Sequence, residues 1–452
     1  MKFYDREIEL KALEKALSSK KAEMIVVSGR RRIGKSRLIS ESLKGKDHAQ
    51  ILIVPKEEKQ VAADFAAALG ATYTPSFANV EQALEYFFSN SKVGILYIDE
   101  FPNLLDVNPA IPYVFQRVWE KYKDSTSKIL IFSGSYASMM NRIFTKQKAP
   151  LFNRAGYQMK LQPLSFKTVW KIQEDLKVNA VEKVYNYCIF GGIPFYYELI
   201  ESQGTENIVH TMFFDSIAPL KEEGQNVLRQ EFGTAYKKYF SIIEAMGGGI
   251  VSASEIANKI GVSQTTLSKY LMALQRDFQL VERTIPFDQS PIRSKKGVYS
   301  IKDNTIAFWF SSVYGKFRQP EAKEINEFIS KRFESFCREF LVEYLQKTGE
   351  TVIKAGRWWG QVETGPKEHE ERELDIVVET KDRIYIGECK WTNSKISLRD
   401  IDHMDESSKT LLAKTKKTAK KALFSKSGFE FKEAGDILLF DPERIQEEIR
   451  KM

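Results

Sequence analysis

Eight consecutive residues near the start of the chain have the spacing of a phosphate-binding loop. The pattern G-x-x-x-x-G-K-[ST] is met by Gly29-Arg30-Arg31-Arg32-Ile33-Gly34-Lys35-Ser36. Glycines let the backbone N–H groups of such a loop curl around the phosphates of a nucleotide, while the lysine reaches the β- and γ-phosphates and the hydroxyl ligates Mg²⁺. The sequence therefore predicts a site for ATP and Mg²⁺, formed by this loop and the next residue, Arg37.

Two acids, Asp99 and Glu100, end an apolar run that lies one to two strands after the loop. Asp99 would hold Mg²⁺, directly or through water, and Glu100 would orient and polarise the water that attacks the γ-phosphate. Two exposed acids at the end of a strand are common in themselves. Their position after the phosphate loop favours the catalytic interpretation.

The elements that must hold these residues alternate between strand and helix up to about residue 160. Such alternation is typical of a parallel sheet covered by helices, and it puts a phosphate bound by the loop at the N-terminus of the following helix. The predicted strands are Met24–Ser28, Ile51–Val54, Ile95–Ile98, Ile129–Phe132 and Gln158–Leu161. The predicted helices between them include Ser36–Leu43, Ala62–Leu69, Val80–Phe88 and Val114–Lys121.

The loop and the paired acids resemble those of the AAA+-related archaeal ATPases, close to the signal-transduction ATPases with numerous domains. Further segments that resemble this family are Phe3–Leu10, Phe132-Ser133-Gly134-Ser135 and Gly191-Gly192-Ile193-Pro194. The resemblance covers about residues 1–215. It implies a P-loop ATPase core at residues 1–164 and a helical lid at residues 165–225.

The resemblance also implies roles for individual polar residues. Ser135, or alternatively Ser133, would be the sensor that contacts the γ-phosphate or the attacking water. Arg154 would stabilise the charge of the transition state, in its own chain or across the interface of a homo-oligomer. The alternative for Arg154 is a surface arginine in a basic loop with Lys146 and Lys148.

Two short helices joined by a glycine turn are predicted within residues 226–318. The apolar spacing places them at Ser254–Ile260 and Ser263–Arg276, with Gly261 in the turn, and two strands follow. This order is typical of a winged helix, which either reads DNA or packs between domains. In the first case six side chains, from the second helix and the wing, would contact DNA: Gln264, Thr265, Thr266, Lys269, Lys295 and Lys296.

Acids and a lysine on two adjacent strands form a third constellation, within residues 325–452. The predicted strands Glu373–Val378 and Arg383–Cys389 pair about a charged turn, which sets Asp375 nearly opposite Glu388. Lys390 lies two residues after Glu388 and therefore on the same face of its strand. Two carboxylates and an ammonium can hold Mg²⁺ and position a water for attack on a phosphodiester.

This constellation resembles the PD-(D/E)xK fold of the restriction endonucleases over about residues 325–440. Glu334 matches the acid of the fold's first helix, whereas Leu374 stands where the name motif carries proline. The resemblance implies a nuclease that depends on Mg²⁺, with Glu334, Asp375, Glu388 and Lys390 at its centre. The alternative is a domain of this fold that binds DNA or protein without cleaving.

Composition sets the remaining expectations. The 452 residues include 68 Lys and Arg and 60 Asp and Glu, a net charge of +8, which permits a nucleic-acid partner without requiring one. Three distant Cys, four scattered His and the lack of a long apolar run argue against a disulfide framework, a zinc cluster and a membrane span. With no signal peptide in view, we expect a cytoplasmic protein. A lysine-rich helix is predicted near Ser408–Leu423, either as a solvated face or as a phosphate-attracting surface.

The predicted architecture is α/β: a P-loop parallel sheet with a helical lid, a winged-helix domain and an α/β restriction-endonuclease-like C-terminal domain. The leading hypothesis is a DNA-associated protein that binds and hydrolyses ATP and whose C-terminal domain is a nuclease. The alternative is a nucleotide-gated switch, or a DNA-binding regulator, with a tail that is not catalytic.

Overall fold

The computed structural model describes residues 2–70, 76–135, 137–200, 205–365, 368–432 and 436–452. The chain divides into two compact units. The first runs to Pro163 and takes in Ile193–Phe195, and the second comprises Leu164–Gly192 and the chain from Tyr196 onward. Among the helices of the described ranges, none is both long enough and apolar enough to cross a membrane.

A five-stranded parallel sheet, in the order β2-β3-β4-β1-β5, forms the centre of the first unit. Both β3 and β4 are buried along their whole length, as expected for parallel strands covered on both faces. The predicted parallel sheet is confirmed. Its second strand begins earlier than predicted, because Ala49 pairs with Leu96 of β3, a contact that apolar periodicity does not reveal. The strands are β1 (Glu23–Ser28), β2 (Ala49–Leu52), β3 (Ile95–Asp99), β4 (Ile129–Gly134) and β5 (Tyr157–Lys160).

Helices cover both faces of this sheet. One face packs against α3, α4 and α6 through a core that includes Phe65, Phe87 and Phe115. On β1 and β5 lies α1, which also contacts α2. Polar groups of the sheet strands can therefore reach solvent chiefly where the strands end. The helices are α1 (Glu7–Leu17), α2 (Lys35–Ser42), α3 (Glu58–Ala68), α4 (Val80–Ser89), α5 (Leu104–Val107), α6 (Ile111–Tyr122) and α7 (Ala137–Met140), with a 3₁₀ turn at Phe101–Asn103 and a π-helical turn at Asn141–Thr145.

The second unit begins with helices and contains a two-stranded antiparallel hairpin of β6 (Val281–Thr284) and β7 (Val298–Ile301). Before the hairpin, α14 and α15 are separated by Gly261 in the left-handed conformation, and each helix is capped by a serine, Ser252 and Ser263. The helices up to this point and just beyond are α8 (Phe166–Asp175), α9 (Ala180–Phe190), α10 (Pro194–Glu198, which begins in the first unit), α11 (Thr205–Val209), α12 (Glu223–Phe232), α13 (Tyr236–Gly247), α14 (Ala253–Ile260), α15 (Gln264–Arg276) and α16 (Asn304–Phe308).

A mixed five-stranded sheet, in the order β12-β11-β10-β9-β8, completes the second unit. The pairs β8–β9 and β9–β10 are antiparallel, and β10–β11 and β11–β12 are parallel. Three helices accompany the sheet. The elements are α17 (Ala322–Lys347), β8 (Val352–Gly365), β9 (Glu368–Thr380), β10 (Arg383–Lys390), α18 (Leu398–Leu412), β11 (Thr418–Ser425), β12 (Ile437–Phe440) and α19 (Pro442–Lys451).

The prediction of a lysine-rich helix near Ser408–Leu423 is wrong. The helix α18 ends at Leu412, and the second half of the predicted segment is strand β11. The strand is stabilised by parallel pairing with β10 and β12, which buries Ala422, Leu423 and Phe424 between them. The lysines suggested a continuous helical face because this long-range pairing leaves no mark on the local charge pattern.

The helices α8 and α9 pack directly on α17. The rings of Trp170 and Phe336 stack with their centroids 5.0 Å apart, and the Tyr187 hydroxyl donates to Glu339 at 3.2 Å. Helix α19 also contacts α8, where the Arg450 guanidinium donates to Glu174 at 2.7 Å. Residues 164–192 therefore share one packed body with the C-terminal sheet.

Replacing Gly192 by alanine tests this packing. A Cβ at Gly192 would lie 2.1 Å from the carbonyl oxygen of Leu164 and 2.8 Å from its nitrogen. Because the obstacle is backbone, we expect Gly192→Ala to destabilise the second unit by about 1–3 kcal/mol, measured as a lower melting temperature by circular dichroism. Gly94→Ala, where no atom lies within 4 Å of the added Cβ, is the control. Equal melting temperatures for both variants would contradict the packing described.

Candidate functional site

The phosphate loop occupies the carboxyl end of β1, at the sheet edge where β3 and β4 also end. Gly29 has φ +152°, and a Cβ there would meet the Leu161 carbonyl oxygen at 3.1 Å. Gly34 has φ +96° and immediately precedes α2. Only glycine adopts these conformations without strain. The loop therefore leads into the N-terminus of α2, where backbone N–H groups attract anions.

Lys35 is buried, at 5% exposure, within the curl of the loop. Its ammonium donates to the carbonyl oxygens of Gly29 and Arg30 at 3.0 and 3.2 Å, and to the Ser135 hydroxyl at 2.8 Å. These bonds stabilise a cation away from bulk water. They also hold it inside the loop, where it can meet the phosphates of a nucleotide.

Asp99 lies at the end of β3 between two hydroxyl donors. The Ser36 hydroxyl donates to its Oδ2 at 3.0 Å, and the Ser133 hydroxyl donates to its Oδ1. Burial, reinforced by the charge of Asp99, raises the pKa of Tyr97, whose protonated hydroxyl lies 3.1 Å from Ser133. The contact between Ser36 and Asp99 gathers hydroxyl and carboxylate oxygens, the ligands that Mg²⁺ prefers, so these residues fit the metal of a nucleotide site.

Glu100 follows Asp99 with φ +51°, a left-handed conformation that is rare outside glycine. Such a conformation costs on the order of 1–3 kcal/mol and persists where surrounding contacts impose it. Its carboxylate accepts from the Ser135 backbone at 3.1 Å and from the Ser135 hydroxyl at 2.6 Å. The two candidate sensor serines thus have different partners: Ser133 contacts Asp99, and Ser135 contacts Glu100 and Lys35.

Arg154 lies in a different set of contacts. Its guanidinium donates to Glu120 at 2.8 Å and to the carbonyl oxygens of Pro150 and Phe152 at 3.3 and 3.1 Å. The ammonium of Lys123, together with Arg154, holds the pKa of Glu120 below its usual range. In the described part of the chain, the structure does not bring Arg154 together with the loop and the acids.

Arg6 fixes the position of the segment before α1, and the sequence did not single it out. It has φ +75° and is buried, and its guanidinium donates to the Gln162 carbonyl at 2.7 Å and to Glu9 at 3.1 Å. These bonds tie the segment before α1 to the chain just after β5. An arginine between Asp5 and Glu7 is too ordinary a pattern to be found from spacing.

A second candidate site lies on the C-terminal sheet. The β9–β10 pairs run from Glu379 with Ile384 to Ile376 with Gly387, so the next position sets Asp375 beside Glu388. The backbone N–H of Cys389 donates to the Asp375 carboxylate at 2.8 Å. Glu334, on α17, is close enough that its charge interacts with both acids.

Burial affects the three carboxyl groups more strongly than the neighbouring cations do. Burial, and then the charge of Asp375, raise the pKa of both Glu334 and Glu388 to about 8. Burial raises the pKa of Asp375 to about 6, against the hydrogen bond from Cys389. Buried like charges favour any ligand that brings positive charge, so these residues fit a divalent cation.

The described residues contain no group of three or more His, Cys, Asp or Glu side chains arranged so that all could hold one metal ion. Mg²⁺ is compatible with fewer protein ligands, since it usually keeps several waters and is bound through one or two carboxylates plus the phosphates of a substrate. Asp375 and Glu388 are the pair that the strand register offers.

Lys390 lies beside this group but is ion-paired elsewhere. Its charge lowers the pKa of Glu388, while its ammonium contacts the carboxylate of Asp400 on α18. Although partial burial acts to raise the pKa of Asp400, the contacts with Lys390 and Ser397 lower it. The sequence gave no sign of this contact between Asp400 and Lys390.

Arg338 is a further residue that sequence reasoning missed. Its guanidinium donates to the Asp375 carbonyl at 3.0 Å. It also lowers the pKa of Glu334 and of Asp375, in each case against the larger effect of burial. It follows Glu334 by four residues, so the two share one face of α17, a spacing from which this position was predictable.

A cleft of about 1140 Å³ opens onto Glu334. Its walls come from the β6–β7 hairpin, from the chain around Gly315–Pro320, from α17 and from β8–β9. Trp359 lines it half-buried, whereas Trp358 is in the core, as expected for neighbours on opposite faces of a strand. The cleft therefore combines apolar and aromatic side chains with charged ones.

The six residues predicted to contact DNA lie elsewhere on the surface. All six are exposed, four of them on the outer side of α15 and two in the loop between β6 and β7: Gln264, Thr265, Thr266, Lys269, Lys295 and Lys296. The apolar side of α15 is buried through Leu267, Leu271 and Leu274. None of the six lines the described cleft.

Comparisons with known proteins cover nearly the whole chain. Residues 3–200 match the model of a family described as an ATPase domain predominantly from Archaea, and residues 310–401 match one described as archaeal and bacterial proteins of unknown function. Uncharacterized protein MJECL04 of Methanocaldococcus jannaschii is 32% identical over 459 positions, covering 98% of this chain and 99% of its own. That alignment spans both candidate sites.

Two solved structures resemble the chain more distantly. The Walker-type ATPase of Pyrococcus abyssi has a TM-score of 0.48 and 16% identity, covering 68% of this chain and 96% of its own. Cdc6p from Pyrobaculum aerophilum has a TM-score of 0.34 and 13% identity, covering 72% of this chain and 93% of its own.

The crowding of carboxyl groups predicts a pH dependence of stability. The pKa of Glu388 is raised from 4.5 to about 8 in the folded chain. Between these values the folded state keeps a proton that the unfolded state releases, so stability falls as pH rises. Without divalent metal, we expect Glu388→Gln to be more stable than the wild type at pH 8.5, by on the order of 1–3 kcal/mol, and nearly equal to it near pH 5. Thermal unfolding in EDTA measures both.

The control for this prediction is Glu447→Gln, which changes an exposed carboxylate on α19. Its difference from the wild type should not grow between pH 5 and pH 8.5. A Glu388→Gln variant that is less stable than the wild type at pH 8.5 would show that the three acids are adequately compensated in the fold.

Proposed function

Because this chain belongs to the family of the M. jannaschii protein and carries an archaeal-type P-loop ATPase domain, we propose that it hydrolyses ATP at the loop that contains Lys35 and cleaves nucleic acid at its C-terminal carboxylates. One observation carries the first part. Lys35, Ser135 and Glu100 form a continuous set of hydrogen bonds across the ends of β1, β3 and β4.

Phosphoryl transfer depends mainly on positioning and charge stabilisation, and the network supplies both. The backbone of residues 29–36 and the ammonium of Lys35 bind and orient the phosphates. Ser36 and Asp99 would hold Mg²⁺, which when bound neutralises charge on the β- and γ-phosphates. Glu100 orients the attacking water and accepts hydrogen bonds from Ser135, which keeps the carboxylate directed toward the phosphate side of the site.

Removing the charge of Glu100 tests its role. Glu100→Gln keeps the size of the side chain, so we expect ATP to bind with nearly unchanged affinity. We expect kcat to fall by about 10²-fold or more, because a positioned base contributes that much. Isothermal titration calorimetry measures affinity, and phosphate release measures turnover. Glu85→Gln, on α4 outside the network, is the control. Wild-type turnover in Glu100→Gln would contradict the assignment.

The second part of the proposal is supported by the group of Glu334, Asp375 and Glu388. Asp375 is buried, Glu334 and Glu388 are partly buried, and burial raises the pKa of all three, a combination that is typical of functional sites. Asp375 and Glu388 would hold Mg²⁺ between them, which when bound activates a water and stabilises charge on a phosphodiester. Lys390 would stabilise the same charge once it leaves Asp400.

DNA is the partner that the surface of the second unit fits best. We infer that α14, α15 and the β6–β7 hairpin form a winged helix, because α15 presents short polar side chains and Lys269 outward while its apolar side is buried. Exposed polar side chains at the start of such a helix suit base edges and phosphates. Lys295 and Lys296, in the loop of the hairpin, suit the phosphates of the adjoining backbone.

One observation favours the other function considered, a nucleotide-gated regulator whose tail does not cleave. The ammonium of Lys390 is paired with Asp400 and is therefore not fully available to the site of Asp375 and Glu388. In that case the C-terminal domain binds nucleic acid, and the nucleotide selects between conformations. The packing of α8 and α9 on α17 is compatible with both functions and does not distinguish them.

Cleavage by the C-terminal site distinguishes the two. We expect purified protein to cut plasmid DNA with Mg²⁺, and Lys390→Ala and Asp375→Asn each to reduce the rate by at least about 10²-fold, since Lys390 would stabilise the charge of the transition state and Asp375 would hold the Mg²⁺. ATP turnover should be unchanged in both variants. Lys395→Ala, which changes an exposed lysine on the same loop, is the control. Wild-type cleavage by Lys390→Ala would mean that the site is misplaced, and the lack of cleavage by any form, with or without ATP, would favour the regulator.

A further inference from the structure

The cleft above Glu334 has an exposed aromatic ring beside its polar lining. Phe317 lines the cleft and is fully exposed, at 107% of its reference area. Single exposed apolar residues are ordinary on protein surfaces. Phe317 is unusual in its neighbours, since Lys316 and Arg318 flank it and all three line the same cleft. An aromatic ring between two cations has the chemistry that binds a base and its phosphates.

Further along, the cleft is lined by two arginines, Arg357 and Arg372. In the described residues, no hydrogen-bond partner lies within reach of Arg357 Nε or Arg372 NH1, although both atoms are buried. Another nitrogen of each side chain is paired: Arg357 donates to Glu373 at 2.8 Å, and Arg372 pairs with Glu370 at 2.8 Å. Buried donors without acceptors destabilise a protein, so either guanidinium gains by turning these N–H groups toward acceptor oxygens of a ligand in the cleft.

The acids of the cleft restrict what can bind there. Glu373 neutralises much of the charge of Arg357, and Arg318 pairs with Glu324 at 2.9 Å. The cleft is therefore not a general attractor of polyanions. Recognition must come from the particular pairing of a ring at the mouth, guanidinium donors inside, and a carboxyl group, Glu334, that belongs to the proposed metal site.

We propose that this cleft binds one unpaired strand of nucleic acid. A base stacks on Phe317, phosphate oxygens accept from Arg357 and Arg372, and the strand leads to the carboxyl groups around Glu334. The substrate class of the proposed nuclease is thus single-stranded, or a duplex with an unpaired end. The claim that the strand leads to the carboxyl groups rests on the proposed nuclease function, whereas the claim that the cleft binds an unpaired strand does not.

The ring argues for an unpaired strand over a duplex. In a duplex the faces of the bases are stacked on one another and hidden, so an exposed phenyl ring gains little from them. An unpaired base has both faces available, and stacking on an aromatic side chain stabilises it with little dependence on sequence. Trp359 contributes less, since the Arg357 guanidinium already lies over its ring at 5.2 Å.

Binding of labelled oligonucleotides, measured in EDTA so that no cleavage occurs, tests the proposal. The probes are a fluorescent 20-mer of deoxythymidine, the matching ribo-oligonucleotide and a blunt duplex of equal length, followed by fluorescence anisotropy. We expect the wild type to bind the single strands more tightly than the duplex. Phe317→Ala should weaken single-strand binding by about fivefold or more, because one stacked base contributes at least that much.

Three variants separate stacking from other effects. Phe317→Tyr keeps the ring and should bind as the wild type does, whereas Phe317→Leu keeps an apolar side chain without a ring and should behave like alanine. Ile217→Ala, which changes an apolar side chain that is 88% exposed and outside the cleft, should have no effect. Phe317 has no buried area to lose, so all these variants should fold, which their melting temperatures will verify.

Every outcome bears on one proposal or the other. Equal single-strand affinity of Phe317→Ala and the wild type would overturn the cleft assignment, as would a leucine variant that binds normally. A preference for the ribo-oligonucleotide or the deoxy form would identify the sugar without affecting the assignment of the cleft, which would stand. If Phe317 matters for binding but no Mg²⁺-dependent cleavage is detected in any form, the cleft stands and the nuclease proposal fails. If Mg²⁺-dependent cleavage is detected and is the same in Phe317→Ala as in the wild type, the nuclease proposal stands and the cleft assignment fails.

Discussion

A buried ammonium that needs several acceptors at once is the interaction on which the nucleotide site depends. Lys35 is satisfied by two carbonyls of its own loop and by Ser135, which lies at the end of a different strand. Ser135 also holds Glu100, the residue with the unusual backbone conformation. This arrangement requires β4 to lie between β1 and β3, which is the strand order observed. The strand order therefore determines which residues can complete the nucleotide site.

The C-terminal site shows the opposite balance of charge. Glu334, Asp375 and Glu388 are brought together by a helix and two strands, yet the nearest cations act partly elsewhere: Lys390 contacts Asp400, and Arg338 donates to a carbonyl. A fold selected only for stability would place apolar or neutral side chains at these positions. Conflict between local stability and the observed residues is expected at functional sites, and it supports the function proposed for these acids.

Much of the first unit was predictable because its signals are local. The glycines of the loop, Lys35, and the acids after β3 stand at fixed spacings within short segments, and a parallel sheet covered by helices follows from apolar runs. What could not be predicted depends on contacts between distant segments. The pairing of Lys390 with Asp400, the strand at Thr418–Ser425 and the place of Phe317 at the mouth of a cleft each require the fold to be known. Arg338 is different, since its spacing from Glu334 was visible in the sequence.

The division of the chain into two units falls just after α9. The segment Gly191–Phe195 passes from the second unit to the first, and it directly follows α9. Through Tyr187 and Trp170, the helices α8 and α9 contact α17, the helix that carries Glu334. The helix that ends just before the change of unit is therefore packed against the helix that carries Glu334, so the two belong to one packed body.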